Sequence, residues 1–287
     1  MKALYDVAAP AKLNLFLHIT GRRGDGYHLL QSAFMLIDWC DTLHFELRVD
    51  GHISREDLGA ALPADDLVLR AARALQAFSA SAMGVHIGIE KRIPVQAGMG
   101  GGSSDAASAL LALNRLWRLG LSLEQLGRIG LQLGADVPFF LAGHNAWVEG
   151  IGEKLTPLIL PPGRFLVVKP ARGLETRLIF SDPALTRDSR PATITGFSAD
   201  VFGFGRNDLQ SVAERICPDV TLALEWLASR GLKGRMTGSG SAVFAQVLQQ
   251  FDLGDVPSTF QVRLCNGLAA HPLAGWATSN SLSVDGI

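Results

Sequence analysis

Pro94-Val-Gln-Ala-Gly-Met-Gly-Gly-Gly-Ser-Ser-Asp-Ala-Ala107 puts four glycines (Gly98, Gly100, Gly101, Gly102) within five positions, directly before an alanine-rich stretch. Glycine adopts backbone conformations closed to other residues, so such a run lets successive N–H groups converge on one point. At the start of a helix those amides add to the positive end of the helix dipole and form an anion cradle. Ser103 and Ser104 add hydroxyl donors, and Ser104 also suits the N-cap of a helix from about Ser104 to Leu119. No lysine follows the glycines, so this is not a Walker A loop, and Ser103 stands where a dinucleotide fingerprint needs its third glycine. An anion is expected here, and the loop alone leaves its identity open.

Around this loop the patterning alternates between strand and helix. From Lys12 to Ile19, Leu13, Leu15, Leu17 and Ile19 share one face, with Lys12, Asn14, Phe16 and His18 on the other, as in a half-buried strand. The segment from Thr42 to Val49 repeats the alternation with Leu43, Phe45, Leu47 and Val49 inward. Asp65 to Phe78 reads as a capped helix with Leu67, Ala71, Ala74, Leu75 and Phe78 on its apolar side, and Val85, Ile87 and Ile89 mark a strand. Ser122 and Gln125 form a capping box for a helix that Gly134 ends. Pro157 to Gly163 reads as a link into a second half with strands at 165–169 and 242–247 and helices at 208–216 and 220–229. The class is α+β, divided into residues 1–156 and 157–287, with a polar end at about 277–287 that is expected to fray.

Composition agrees with this reading and narrows the function. The 287 residues fit two domains of roughly 150 each, and 48% hydrophobic residues with 18% charged exclude a disordered chain. Lys and Arg number 26 against 27 acids, which argues against a general nucleic-acid binder. Asp6 and Lys12 interrupt any signal-peptide core, and no apolar run reaches the ~18 residues of a membrane span. Cys40, Cys217 and Cys265 are odd in number and scattered, without C-x-x-C spacing, which suits a reducing, cytoplasmic setting.

Three segments together resemble the motifs of the GHMP kinases: Pro10-Ala-Lys-Leu-Asn-Leu15, the loop at 94–107, and Gly238-Ser-Gly-Ser-Ala-Val-Phe244. Asp25-Gly-Tyr-His28, Gly134-Ala-Asp-Val-Pro-Phe139 and Met236-Thr-Gly238 resemble the branch of that family that acts on a cytidine-diphosphate-linked methylerythritol. The resemblance runs to about residue 250. It implies a ribosomal-protein-S5-like N-terminal domain that carries ATP and catalysis, and a ferredoxin-like C-terminal domain that contributes to the substrate site. It also implies ATP with Mg²⁺, phosphorylation of the 2-hydroxyl of the small-molecule substrate, no nucleic-acid or membrane partner, and either a monomer or a homodimer. Other small alcohols, such as homoserine or mevalonate, or a silent ligand sensor on the same fold, are the competing expectations.

Residue by residue, the resemblance makes Asp136 the general base and Lys12 its cationic partner. It gives ATP to Pro94, Val95, Gly98, Met99, Gly100, Gly101, Gly102, Ser103 and Ser104. Asn14, Tyr27, His28, Thr176 and Phe180 fall to the substrate, with Phe180 covering the cytosine face opposite Tyr27 and His28. No protein metal ligand is assigned. Read alone, Asp136 before Val137-Pro138 is an N-cap, Lys12 a solvated strand lysine, Tyr27-His28 a surface pair and Phe180 core. Gly238-Ser-Gly-Ser241 offers no reacting group and suggests close backbone packing. Asp66 departs from the asparagine the family usually carries near the adenine, and an ionised Asp only accepts hydrogen bonds.

Overall fold

The computed structural model describes residues 1–249 and 251–278. Two long strands open the chain, β1 (Ala3–Arg22) and β2 (His28–Arg48), followed by β3 (Ile53–Asp57), α1 (Leu67–Ser79) and β4 (Gly84–Glu90). Three helices come next, α2 (Gly101–Leu116), α3 (Leu123–Leu133) and α4 (Val137–Ala142), then the short strands β5 (Ala146–Glu149) and β6 (Lys154–Pro157). The remainder comprises β7 (Arg164–Pro170), α5 (Thr176–Ser181), α6 (Ile194–Ser198), α7 (Gln210–Ile216) and α8 (Pro218–Ala228). It closes with β8 (Arg235–Met236), β9 (Val243–Gln246) and β10 (Phe260–Leu268).

β2 is the hub. It pairs antiparallel with β1 along most of its length, with β4 through residues 42–48, with β5 through residues 32–34 and with β10 at residues 36 and 37. β10 continues onto β7, so the sheet runs β3-β4-β2-β10-β7-β9-β8 across both halves of the chain. The β1–β2 register slips between Pro10 and Ala11. Proline has no N–H to give a ladder and is placed at such irregularities, and this one falls two residues before Lys12.

Helices α1, α2, α3 and α4 cover one face of the first part of the sheet through Leu75, Leu110, Leu113, Leu126 and Phe139. In the second half, α7 and α8 pack Val212, Val220 and Leu227 on Leu166, Val168 and Val243 of the sheet. A third cluster joins the halves around the buried Phe16, whose ring lies 5.2 Å from Trp147, 5.7 Å from Phe197 and 5.1 Å from Phe204. Each fully buried aromatic or aliphatic side chain of this kind contributes roughly 1.5–3 kcal/mol.

Several expectations shift. Lys12, Asn14 and Phe16, expected on a polar strand face, are as buried as the leucines opposite them. That face is covered from a distance: Met99 O accepts from Lys12 N, Thr237 Oγ1 from Asn14 N and Arg206 O from Leu17 N. Val49 lies past the end of β2 and is 82% exposed, and Phe78 points to solvent on α1. Asp66, not Asp65, caps α1, accepting from Leu69 N at 3.0 Å. α2 begins at Gly101, not Ser104, because Gly100 takes the left-handed conformation (φ 71°) and turns the chain into the helix earlier. Ser104 is therefore inside the first turn and does not cap it. The capping box of Ser122 and Gln125 and the stop at Gly134 are present. Of the end expected to fray, residues 279–287 lie outside the described residues.

Candidate active site

The glycine run closes over the other glycine-rich segment. A side-chain carbon on Gly98 (φ 71°) would lie 2.2 Å from Thr237 O, and one on Gly238 would lie 2.5 Å from Gly98 O. Backbone therefore packs on backbone, as the composition of 238–241 suggested. The loop carbonyls are used toward the protein: Gln96 O accepts from Ser241 N at 3.0 Å, Ala97 O from Ala242 N at 3.3 Å and Met99 O from Lys12 N at 3.0 Å. The first-turn amides of α2, on Gly101, Gly102 and Ser103, have no acceptor within the helix. This leaves a cradle of N–H donors on the wall of a cleft of about 740 Å³. Pro94 through Ser103 line that cleft, whereas Ser104 is wholly buried behind them and its hydroxyl has no hydrogen-bond partner among the described residues.

Lys12 and Asp136 meet on the same wall, Nζ to Oδ2 at 3.6 Å, with the lysine side chain 4% exposed and the carboxylate 30% exposed. β1 supplies the lysine and the turn before α4 supplies the aspartate. Asp136 occupies the N-cap position of α4 but makes no capping bond, so its carboxylate is not consumed by the helix. Asn14 Oδ1 also accepts from Lys12 Nζ, while Asn14 Nδ2 donates to Ser32 Oγ at 3.0 Å. The Phe34 ring lies 4.5 Å from the ammonium. Burial pushes the Lys12 pKa down, and Asp136 opposes that shift. Asn14 borders the cleft with its amide already bridging Lys12 and Ser32, so in this arrangement it orients the lysine.

The expected nucleobase residues form a second group. Thr176 and Phe180, on α5, line the cleft, and Thr176 Oγ1 is 2.7 Å from Ser239 Oγ. Tyr27 and His28 are not on its wall. Tyr27 is 60% exposed at the end of a turn held by Arg23 N donating to Tyr27 O. His28 packs on Phe180 with ring centroids 5.1 Å apart. A base held between two rings needs them roughly 7–8 Å apart, twice a van der Waals contact. His28 and Phe180 therefore do not form the two faces of a base sandwich here.

Sequence reasoning missed a buried charge cluster beside the cradle. Lys91 Nζ donates to Asp41 and to Asp105 of α2, and the Asp41 carboxylate also accepts from Arg92 N and Ile93 N. Burial depresses the Lys91 ammonium, but the two carboxylates outweigh it and its pKa ends raised. Burial pushes Asp105 up to about 8, with Lys91 pulling the other way. The cluster ties the strap entering the loop to the first turns of α2. Lys91 lies 50 residues from Asp41 and 14 from Asp105, so no local spacing reveals the cluster.

The GHMP kinases N terminal domain family matches residues 66–144, and the GHMP kinases C terminal family matches residues 191–251. Over 284 residues the chain is 78% identical to 4-diphosphocytidyl-2-C-methyl-D-erythritol kinase of Albidiferax ferrireducens, covering 99% of each. The chain belongs to this family of GHMP kinases. A crystal structure of 4-(cytidine 5'-diphospho)-2C-methyl-D-erythritol kinase is 36% identical, with TM-score 0.72, and the match covers 83% of this chain and 88% of that one. Homoserine kinase from Cytophaga hutchinsonii, at 13% identity and TM-score 0.64 over 94% of this chain and 96% of that one, shares the fold. Among the described residues of the kinase, no helix is long and apolar enough to cross a membrane.

The kinase's departure at Asp66 is compensated inside the protein. Its Oδ1 accepts from Leu69 N at 3.0 Å, and its Oδ2 pairs with Arg55 Nη1 at 2.9 Å. Both carboxylate oxygens are thus engaged away from the cleft, which the neighbouring Leu67 borders instead.

Proposed function

We propose that the chain transfers the γ-phosphoryl group of ATP to the 2-hydroxyl of 4-diphosphocytidyl-2-C-methyl-D-erythritol, in the non-mevalonate route to isoprenoid precursors. Phosphoryl transfer asks for positioning, positive charge around the phosphates and an acceptor for the hydroxyl proton. The amides of Gly98 to Ser103 hold the triphosphate, and Lys12 stabilises charge on the transferring group. Asp136 takes the proton from the 2-hydroxyl, whose oxygen forms the new bond to γ-phosphorus while the β–γ bridging bond breaks and ADP leaves. The observation that carries this assignment is the 3.6 Å contact between Lys12 and Asp136 on the wall that also holds the glycine cradle.

The donor chemistry beside the cradle fits Mg²⁺, a hard cation that keeps much of its water and leans on substrate phosphates. Ser103 and Asp136 offer oxygen ligands on the cleft wall, and neither thiolate nor imidazole borders it. Bound there with ATP, the metal would neutralise phosphate charge. Such an ion is carried mainly by the nucleotide.

On the substrate side, the base stacks on Phe180 with the exposed Tyr27 ring as its second cover, and His28 meets the base edge. Pro157 to Gly163 joins the two functional halves. The three thiols are unpaired, and burial pushes Cys40 up to about 11 and Cys265 to about 12. Inert, reduced thiols support a cytoplasmic setting. The test is a coupled ADP-release assay with the cytidine-linked alcohol, with homoserine and with mevalonate, each with and without Mg²⁺. Turnover is expected with the first alone and only with Mg²⁺. Equal turnover with another alcohol, or binding without ADP release, would overturn the assignment.

A further inference from the structure

Arg187, in the segment after α5, spends every donor it has around the nucleobase group. Its Nε donates to His28 Nε2 at 3.0 Å. One terminal nitrogen donates to Asp182 O at 2.7 Å and Phe180 O at 3.2 Å, and the other to Leu185 O at 3.0 Å and Pro183 O at 3.5 Å. One side chain thereby grips the backbone of Phe180 and the ring of His28, whose centroids are 5.1 Å apart. A guanidinium can only donate, so His28 Nε2 must accept, and a neutral ring then carries its proton on Nδ1. Burial, Arg187 and Arg22 all push the His28 pKa down, which keeps the ring neutral near pH 7. No described residue hydrogen-bonds His28 Nδ1.

We propose that Arg187 is the positioning residue that sets which pyrimidine this kinase accepts: by fixing the His28 proton on Nδ1, it makes the ring a donor toward N3 of the base. Cytosine N3 is an acceptor and completes that bond. Uracil carries N3–H, which would set donor against donor and leave both unpaired in a partly buried site. The anchoring carbonyls stop the guanidinium from turning away, so the tautomer is in place before substrate arrives. This rests on His28 meeting the base, as proposed above.

The test compares cytidine- and uridine-diphosphate-linked methylerythritol as substrates. The unmodified kinase should favour the cytidine compound by at least ~10² in kcat/KM, since a mispaired buried donor costs about that much. Arg187→Met should reduce that ratio by roughly tenfold or more, chiefly by raising KM for the cytidine compound, with KM for ATP unchanged. A purely structural arginine would lower activity toward both substrates alike. A ratio left intact in Arg187→Met overturns the proposal. Long-range ¹H–¹⁵N spectra of the unmodified protein, with His28 assigned by its loss in His28→Phe, need no stable Arg187 variant. They should show the proton on Nδ1 at pH 7, and a proton on Nε2 would equally overturn the proposal. His28→Phe separates the two levels: if it too keeps the cytidine preference, His28 does not read the base. If it loses the preference while Arg187→Met keeps it, only the role of Arg187 fails.

Discussion

Replacing Gly98 by alanine tests the central geometric claim, that two glycine segments must touch for the phosphate cradle to exist. Gly98 has φ 71°, and an added carbon would meet Thr237 O at 2.2 Å and Gly240 N at 2.8 Å. The left-handed conformation alone costs alanine roughly 1–2 kcal/mol. A carbon–oxygen contact normally opens to roughly 3.3 Å, so the two backbones must part by about 1 Å, with roughly 1–3 kcal/mol more for overpacking. Stability should therefore fall by about 2–5 kcal/mol, measured by urea unfolding. A displacement of about 1 Å at a positioning element costs ~10²-fold in rate, so kcat/KM for ATP should drop by that order in the ADP-release assay. Gly120 is the control, because it has φ 66° but nothing within 4 Å of an added carbon. Gly120→Ala should show only the conformational cost, with normal kinetics. If Gly98→Ala behaves like Gly120→Ala in both assays, the contact between the loops is not what shapes the cradle.

Three other outcomes follow from named contacts. Asp136→Asn should lower kcat by ~10²–10⁴ while KM for ATP stays within about threefold, and turnover within tenfold of normal would dismiss Asp136 as the base. Asp66→Asn keeps the cap on Leu69 N but gives up the Arg55 ion pair, so it should lose about 1 kcal/mol in thermal unfolding with KM for ATP unchanged; a tenfold change in that KM would put Asp66 at the adenine. His271 is buried with its pKa pushed down to about 4, so between about pH 6.5 and 4 the unfolded chain binds a proton that the native chain does not, and stability falls on acidification through that window. Its share is on the order of 3 kcal/mol, and His271→Asn, which retains an acceptor for Leu273 N, should flatten the acid limb of a stability–pH curve by about that much.

What could be read from the chain differs by residue for physical reasons. The close packing of the glycine loop was legible because only glycine fits where φ is 71° and another backbone lies 2.2 Å away. Lys12 and Asp136 were reachable through the motifs around them and not through periodicity, which placed Lys12 in solvent. Its burial comes from Met99, 87 residues onward, and from Asn14's bond to Thr237, at a separation of 223 residues. The Lys91 cluster and Arg187 lay beyond local reading for the same reason: a hydrogen bond across 159 residues leaves no mark on hydrophobic spacing. Helix starts were misjudged by a turn at α2 because the left-handed Gly100 outranks a good capping serine four positions later.

The burial of Lys12 also bears on the order of events in the cleft. An ammonium this deep is costly unless negative charge faces it, and without nucleotide the carboxylate at 3.6 Å is its only ionic partner among the described residues. Asn14 Oδ1 and the Phe34 ring offset part of that cost without neutralising the charge. A triphosphate in the adjacent cradle brings the missing negative charge, so on the proposed roles Lys12 turns from counter-ion of Asp136 into counter-ion of the γ-phosphate. Asp136, 30% exposed and free of any capping bond, is then left without its cation on the cleft wall. On those roles the carboxylate is released from the lysine only when there is a phosphoryl group to transfer, which couples the two sides of the cleft through a single buried ammonium.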